Sequence, residues 1–239
     1  MDRYIVAIGG RELKTKETLE IDRYIAKLAY VHAGGARPYA LFIGTASHDS
    51  MPYYNTFHKT YTGELGLKTD CALTVYGEMD YEKIKGKFLK ADMIYVGGGD
   101  TLFMLAHWKK SGVYDLILDA YERGVILSGL SAGGICWFEK IFTDSPSVNG
   151  NDKYNMSAAM GLINGVACPH YGSRREEFIK ELKENDTLFS LPVFGLSDNS
   201  AAVFKNSVLL GSVSSGGEAV EIKNDKNYVS ENAIKTLKI

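Results

Sequence analysis

Ser131 stands in the run Gly129-Leu130-Ser131-Ala132-Gly133, between an apolar stretch that reads as a strand, Val125 to Ser128, and one that reads as a helix through Ile135, Trp137 and Phe138. A serine on a sharp strand-to-helix turn, with small residues two positions to either side so that the backbone can pass, is the pattern of a nucleophile elbow. The competing reading is a plain turn in which Ser131 caps a helix and the glycines serve the backbone. A serine hydroxyl attacks a carbonyl carbon only when a base takes its proton, and the usual base is a histidine oriented by a carboxylate. Of the five histidines, His32, His48, His58 and His107 fall at a helix end, in a polar loop or within amphipathic stretches. His170 instead follows Val166-Ala167-Cys168-Pro169 and so sits at the carboxyl end of a predicted strand, the edge at which open α/β sheets bind ligands. Ser131 ends its strand at the same edge, which favours the catalytic reading of both.

Two carboxylates compete to orient His170. Asp198, in Gly195-Leu196-Ser197-Asp198, leaves a third strand and would be rigidly held, whereas Asp144 begins a polar loop. Asp198 is therefore favoured, with Asp144 as the alternative acid and a solvated turn aspartate as the bland reading of either. Negative charge developing on a carbonyl oxygen needs positioned N–H donors. Gly97-Gly98-Gly99-Asp100, after another strand, supplies them with no side chain in the way, Gly98 being the central choice and Ala132, next after the nucleophile, the second donor. The same glycine turn lacks the Lys-Ser/Thr pair of a phosphate loop, and Gly9-Gly10 falls short of a dinucleotide fingerprint.

The elements that must position these groups alternate between short apolar runs and longer amphipathic stretches, the pattern of parallel strands buried on both faces with helices between them. Strands are predicted at Tyr4 to Ile8, Tyr39 to Ile43, Ala72 to Val75, Met93 to Val96, Val125 to Ser128 and Val166 to Cys168. Helices are predicted over Lys16 to Val31, after a cap at Asp80, over Thr101 to Lys110, Tyr114 to Arg123 and Arg174 to Glu184. From Asp144 to Asn155 the composition turns to Ser, Pro, Asn, Gly and Asp, an exposed loop near the active face. Short strands between Val193 and Ile222, punctuated by Lys205-Asn206 and Ser215-Gly216-Gly217, suggest edge hairpins. The fold class is thus α/β: a mostly parallel sheet with helices on both faces and a small antiparallel C-terminal extension.

A chain of 239 residues with 45% hydrophobic and 11% aromatic content can bury a sizeable core. Length leaves one domain or two open; the need for four strand ends to meet argues for a single α/β domain, 1–239. With 27 basic against 29 acidic residues the charge is near balance, unlike a dedicated nucleic-acid binder. Three cysteines without paired spacing give no disulfide framework or zinc site, and neither a signal peptide nor a membrane span is read, so a cytoplasmic protein without cofactor is expected.

In the Gly97-Gly98-Gly99-Asp100-Thr101 turn, the Ser-Ala-Gly elbow at Ser131, the Pro169-His170 pair and Gly195-Leu196-Ser197-Asp198, the chain resembles the peptidase E family, serine peptidases that include aspartyl dipeptidase and cyanophycinase and share a fold with class I glutamine amidotransferases. The resemblance covers most of the chain. It implies a Ser–His–acid triad, no metal, a small peptide substrate and a homodimer. Arg175 matches an arginine of aspartyl dipeptidase in a region that bears on recognition of an N-terminal aspartate, and by that match is a candidate to pair with a substrate carboxylate. An amidotransferase would need cysteine where Ser131 stands, and Cys136, one helical turn on, reads as a core thiol. The expected function is a serine peptidase, in the form of a dipeptidase, acting on short peptides. The alternatives are an esterase of the α/β-hydrolase class, which requires Asp144 as the acid, and a catalytically silent binding protein on the same fold.

Overall fold

The computed structural model describes residues 2–76, 80–145, 154–225 and 228–238. Strands β1 (Tyr4–Ile8), β2 (Tyr39–Ile43), β3 (Lys68–Ala72), β4 (Met93–Val96) and β5 (Ile126–Leu130) run parallel in the order β1-β5-β4-β2-β3. Alternate side chains go to opposite faces, as the two-residue period of a strand requires. Ile5, Ala7, Leu41 and Ile43 join one apolar cluster, and Val6, Ile8, Ala40 and Phe42 join the other.

Helices cover both faces. α1 (Leu19–His32) and α2 (Met51–His58) pack on the second cluster through Ile21, Ile25 and Phe57. α3 (Tyr81–Lys90), α4 (Thr101–Ser111) and α5 (Val113–Glu122) pack on the first through Phe88, Trp108 and Ile117. The α3 and α4 starts are fixed by the aspartates before them: Asp80 accepts from the Glu82 N–H at 3.0 Å and Asp100 from the Phe103 N–H at 2.9 Å.

After β5 the chain makes one short helix, α6 (Ala132–Ile135), and enters a second sheet. Its strands are β6 (Phe138–Thr143), β7 (Asn155–Ala158), β8 (Ile163–Pro169) and β9 (Val193–Leu196), with α7 (Tyr171–Glu184) between the last two. Strands β10 (Ser200–Lys205) and β11 (Val208–Ser214) then return to the first sheet, antiparallel on the free side of β1. Strands β12 (Ala219–Asp225) and β13 (Tyr228–Ala233) extend the second sheet antiparallel beside β9. The expected α/β architecture therefore holds, its strands divided between two sheets and its C-terminal antiparallel strands shared by both. One cluster joins the sheets, taking Ile5 and Ile94 from the first and Phe138, Ile141 and Phe194 from the second.

Three local expectations are corrected. The helix expected through Trp137 and Phe138 stops at Ile135, and Phe138 opens β6, since Gly133 and Gly134 weaken the helix and parallel pairing of Phe138 with Ile163 takes the chain into a sheet. The strand expected at Ala72 to Val75 lies earlier, at Lys68–Ala72, because an edge strand with half-exposed side chains carries little apolar signal. Lys205-Asn206 does form a hairpin between β10 and β11, but Ser215-Gly216-Gly217 joins strands of different sheets and folds against the Asp198–Asn199 turn, where the Ser215 and Gly217 N–H groups donate to the Asn199 carbonyl at 2.8 and 3.1 Å. Most of the loop expected between Asp144 and Asn155 lies outside the described residues.

Candidate active site

Ser131 leaves β5 with φ 54° and ψ −113°, a backbone region that costs a non-glycine residue roughly 1–3 kcal/mol and persists only where the surroundings over-determine it. Here they do. The Ser131 N–H donates to the Ile8 carbonyl at 3.0 Å, and its own carbonyl accepts from the Gly134 and Ile135 N–H groups at 2.8 and 2.9 Å. The elbow glycines are required by close approach, for a Cβ at Gly129 or at Gly133 would run into the Val96 carbonyl of β4.

His170 follows β8 and is also left-handed, with φ 50° and ψ 37°, at the start of α7. Its Nε2 lies 2.9 Å from Ser131 Oγ and its Nδ1 lies 2.7 Å from Asp198 Oδ1. An ionised carboxylate only accepts hydrogen bonds, so Nδ1 carries the ring proton and Nε2 is left free to receive one from the serine. The other Asp198 oxygen, Oδ2, faces Arg11 Nε at 3.3 Å. Both His170 and Asp198 are partly shielded, with side-chain exposures of 27% and 35%.

Asp144 is engaged elsewhere. Its carboxylate accepts from Arg174 Nη2 at 2.9 Å, not from His170. Arg175 is held by Glu231, with Nε 3.0 Å from Oε2 and Nη2 on Oε1, and it borders a separate hollow along α7. Cys136 is fully buried one turn past the serine, and that burial pushes its thiol well above the usual range. It cannot serve as a thiolate nucleophile there.

The oxyanion donors expected from sequence flank the nucleophile. A Cβ built on Gly98 would lie 3.4 Å from Ser131 Cβ and 3.2 Å from the Leu130 carbonyl, so this backbone passes directly beside the serine. Ala132 opens α6, where a first-turn N–H has no intrahelical acceptor. A cleft of about 460 Å³ opens over these groups, walled by Ser131, His170, Gly98, Tyr53 and the segment Arg11 to Lys14. Among the described residues no His, Cys, Asp and Glu cluster is arranged to hold a metal ion, and no helix is long and apolar enough to cross a membrane.

Sequence reasoning overlooked the end of β1. Three successive carbonyls there each hold one strand end of the site: Ile8 accepts from the Ser131 N–H at 3.0 Å, Gly9 from the His170 N–H at 3.0 Å and Gly10 from the Asn199 N–H at 3.3 Å. A Cβ at Gly10 would collide with both the His170 ring and the Asp198 carboxylate. The Gly9-Gly10 pair after a strand was the available signal. Arg11, with φ 96°, follows directly.

Across 235 residues the chain is 28% identical to the uncharacterized peptidase YgaJ of Bacillus subtilis (strain 168), covering 96% of each. It is 29% identical over 164 residues to peptidase E of Streptomyces coelicolor, spanning 63% of this chain and 64% of that protein. Its fold is similar to that in the crystal structure of a peptidase from an acI-B1 Actinobacterium, with a TM-score of 0.73 at 16% identity over 100% of this chain and 96% of the other. Residues 5–210 match Peptidase family S51. Because that match spans residues 5–210, most of its length, this chain belongs to peptidase family S51, a family of serine peptidases.

Proposed function

We propose that the protein hydrolyses short peptides, in the manner of a dipeptidase, with Ser131, His170 and Asp198 as its catalytic triad. The observation that carries this reading is the continuous chain of contacts from Ser131 Oγ to His170 Nε2 at 2.9 Å and from Nδ1 to Asp198 Oδ1 at 2.7 Å, with Ser131 and His170 lining the cleft. Ser131 Oγ bonds to the scissile carbonyl carbon while its proton passes to Nε2, and the carbonyl electron pair moves onto oxygen, where the Gly98 and Ala132 N–H groups receive it. The imidazolium, steadied by Asp198, then protonates the leaving amine as the C–N bond breaks. Water attacks the acyl-serine by the same proton route, and the acid product leaves. These steps draw on no cofactor.

A cleft of about 460 Å³ suits a substrate of a few residues better than a folded chain. Arg175, engaged by Glu231, has no substrate role in this reading. The reading takes the protein as cytoplasmic and residues 1–239 as one domain acting as a homodimer on peptide, without nucleic acid or membrane.

The test is incubation with a mixture of di- and tripeptides read by mass spectrometry, with Ser131→Ala as control. The intact protein is expected to cleave a subset and to form a fluorophosphonate adduct at Ser131, and the variant to lose about 10⁴-fold or more in turnover. Cleavage of no peptide by the intact protein, or equal cleavage by the variant, overturns the reading.

A further inference from the structure

Tyr53 belongs to no motif legible in the sequence, yet it borders the same cleft as Ser131, Gly98 and His170. Its position on α2 is tightly set. The ring packs edge-on against Phe42 with centroids 5.1 Å apart, and a Cβ at Gly97 would lie 2.9 Å from Tyr53 Cε1, so the glycine turn after β4 closes directly onto the phenol. Its hydroxyl oxygen accepts the Gly98 N–H at 3.3 Å.

That N–H is the donor assigned above to the substrate oxygen. An oxygen that comes to share the Gly98 N–H with Tyr53 Oη converges on the same hydrogen, which sets the two oxygens side by side and lets the phenol turn its own proton toward the newcomer. The proton between the two oxygens is then the phenolic one. A phenol holds its proton at neutral pH, and burial, which pushes the Tyr53 hydroxyl up to about 12, holds it more firmly.

We propose that the Tyr53 hydroxyl is a third oxyanion donor, acting with the Gly98 and Ala132 N–H groups on the tetrahedral intermediate. The proposal rests on the peptidase reading. No proton is transferred to the oxyanion: the Ser131 proton still goes to His170, and Tyr53 keeps its own while donating a hydrogen bond that strengthens as charge builds on the oxygen. In the free protein the phenol oxygen serves instead as a stand-in acceptor, satisfying the Gly98 N–H until a carbonyl arrives.

The test compares Tyr53→Phe with the intact protein on a peptide that the latter cleaves. The substitution keeps the ring and its packing on Phe42. Removing one oxyanion donor typically costs on the order of 10²-fold in kcat, and that is the expected loss, with KM moved less than about threefold and affinity for a peptide boronic acid falling in parallel with kcat/KM. Turnover and boronate affinity within about twofold of the intact protein overturn the proposal while leaving the peptidase reading standing. Failure of the intact protein to cleave any peptide overturns that reading itself. Should Tyr53→Phe fold poorly, the intact protein with the boronic acid bound decides the matter: Tyr53 Oη is expected within about 3 Å of a boronate oxygen. An Oη swung out of hydrogen-bonding reach overturns the proposal.

Discussion

The three side chains of the proposed triad differ in how they are held. Ser131 and His170 have left-handed backbones, with φ of 54° and 50°, and Asn199, next to Asp198, has φ 57°. Ser131 directly follows β5 and His170 directly follows β8, so both stand at the carboxyl ends of their strands. Asp198 has both oxygens committed, one to His170 and one facing Arg11, whereas Asp144 is 55% exposed and tied to Arg174. Asp198→Asn is therefore expected to lower kcat by roughly 10⁴-fold, because the amide imposes the wrong imidazole tautomer. Asp144→Asn should leave turnover within about twofold, since its carboxylate pairs with the buried Arg174 and does not touch His170. Steady-state kinetics on both variants decides, and a large loss confined to Asp144→Asn would exclude the Asp198 assignment. Sequence favours Asp198 for its place after a strand, but Arg174 as the partner of Asp144 is invisible there, since the two are brought together only by the packing of α7.

Among the elements, β1 has the widest reach. Its position between β5 and β10 brings the carbonyls of Ile8, Gly9 and Gly10 under the serine, histidine and aspartate turns in succession. Gly10 is the sharpest point of this arrangement, because any side chain there must displace the His170–Asp198 pair. Gly10→Ala is expected to reduce kcat/KM by at least about 10²-fold, the scale of loss that follows an ångström of misplacement. Gly172→Ala, on α7 where a Cβ meets nothing within 4 Å, should keep activity within about twofold. Equal activity in the two variants would show that β1 does not set the triad geometry. The types and turns of these glycines are legible from the chain, but what each one approaches is not. The same limit explains the misread segments: Phe138 joins a strand because its pairing partner is Ile163, and β3 hides on an edge where apolar residues are not demanded.

At the scale of the whole molecule, one buried carboxyl ties stability to pH. Asp22, in the first turn of α1, is fully buried and accepts from Thr18 Oγ1 and from the Tyr61 hydroxyl, each at 2.8 Å. Burial pushes its carboxyl up to about 7, against the downward pull of those two hydrogen bonds. The unfolded chain releases that proton near pH ~4, so between about pH 4 and 7 the native state holds more protons and loses stability as pH rises, by at most about 4 kcal/mol. Urea titrations at pH 5 and 7.5 are expected to show a steeper loss for the intact protein than for Asp22→Asn, whose side chain does not titrate. Parallel losses would mean that Asp22 is ionised throughout. The near-neutral charge, the apolar strand runs and the glycine turns are short-range properties of the chain. By themselves they determined the α/β class, the serine elbow and the candidate histidine. The reach of each acid, the bracket formed by β1 and the approach of Tyr53 to Gly98 were decided only by the tertiary structure, because each depends on strand order and on contacts between residues tens of positions apart.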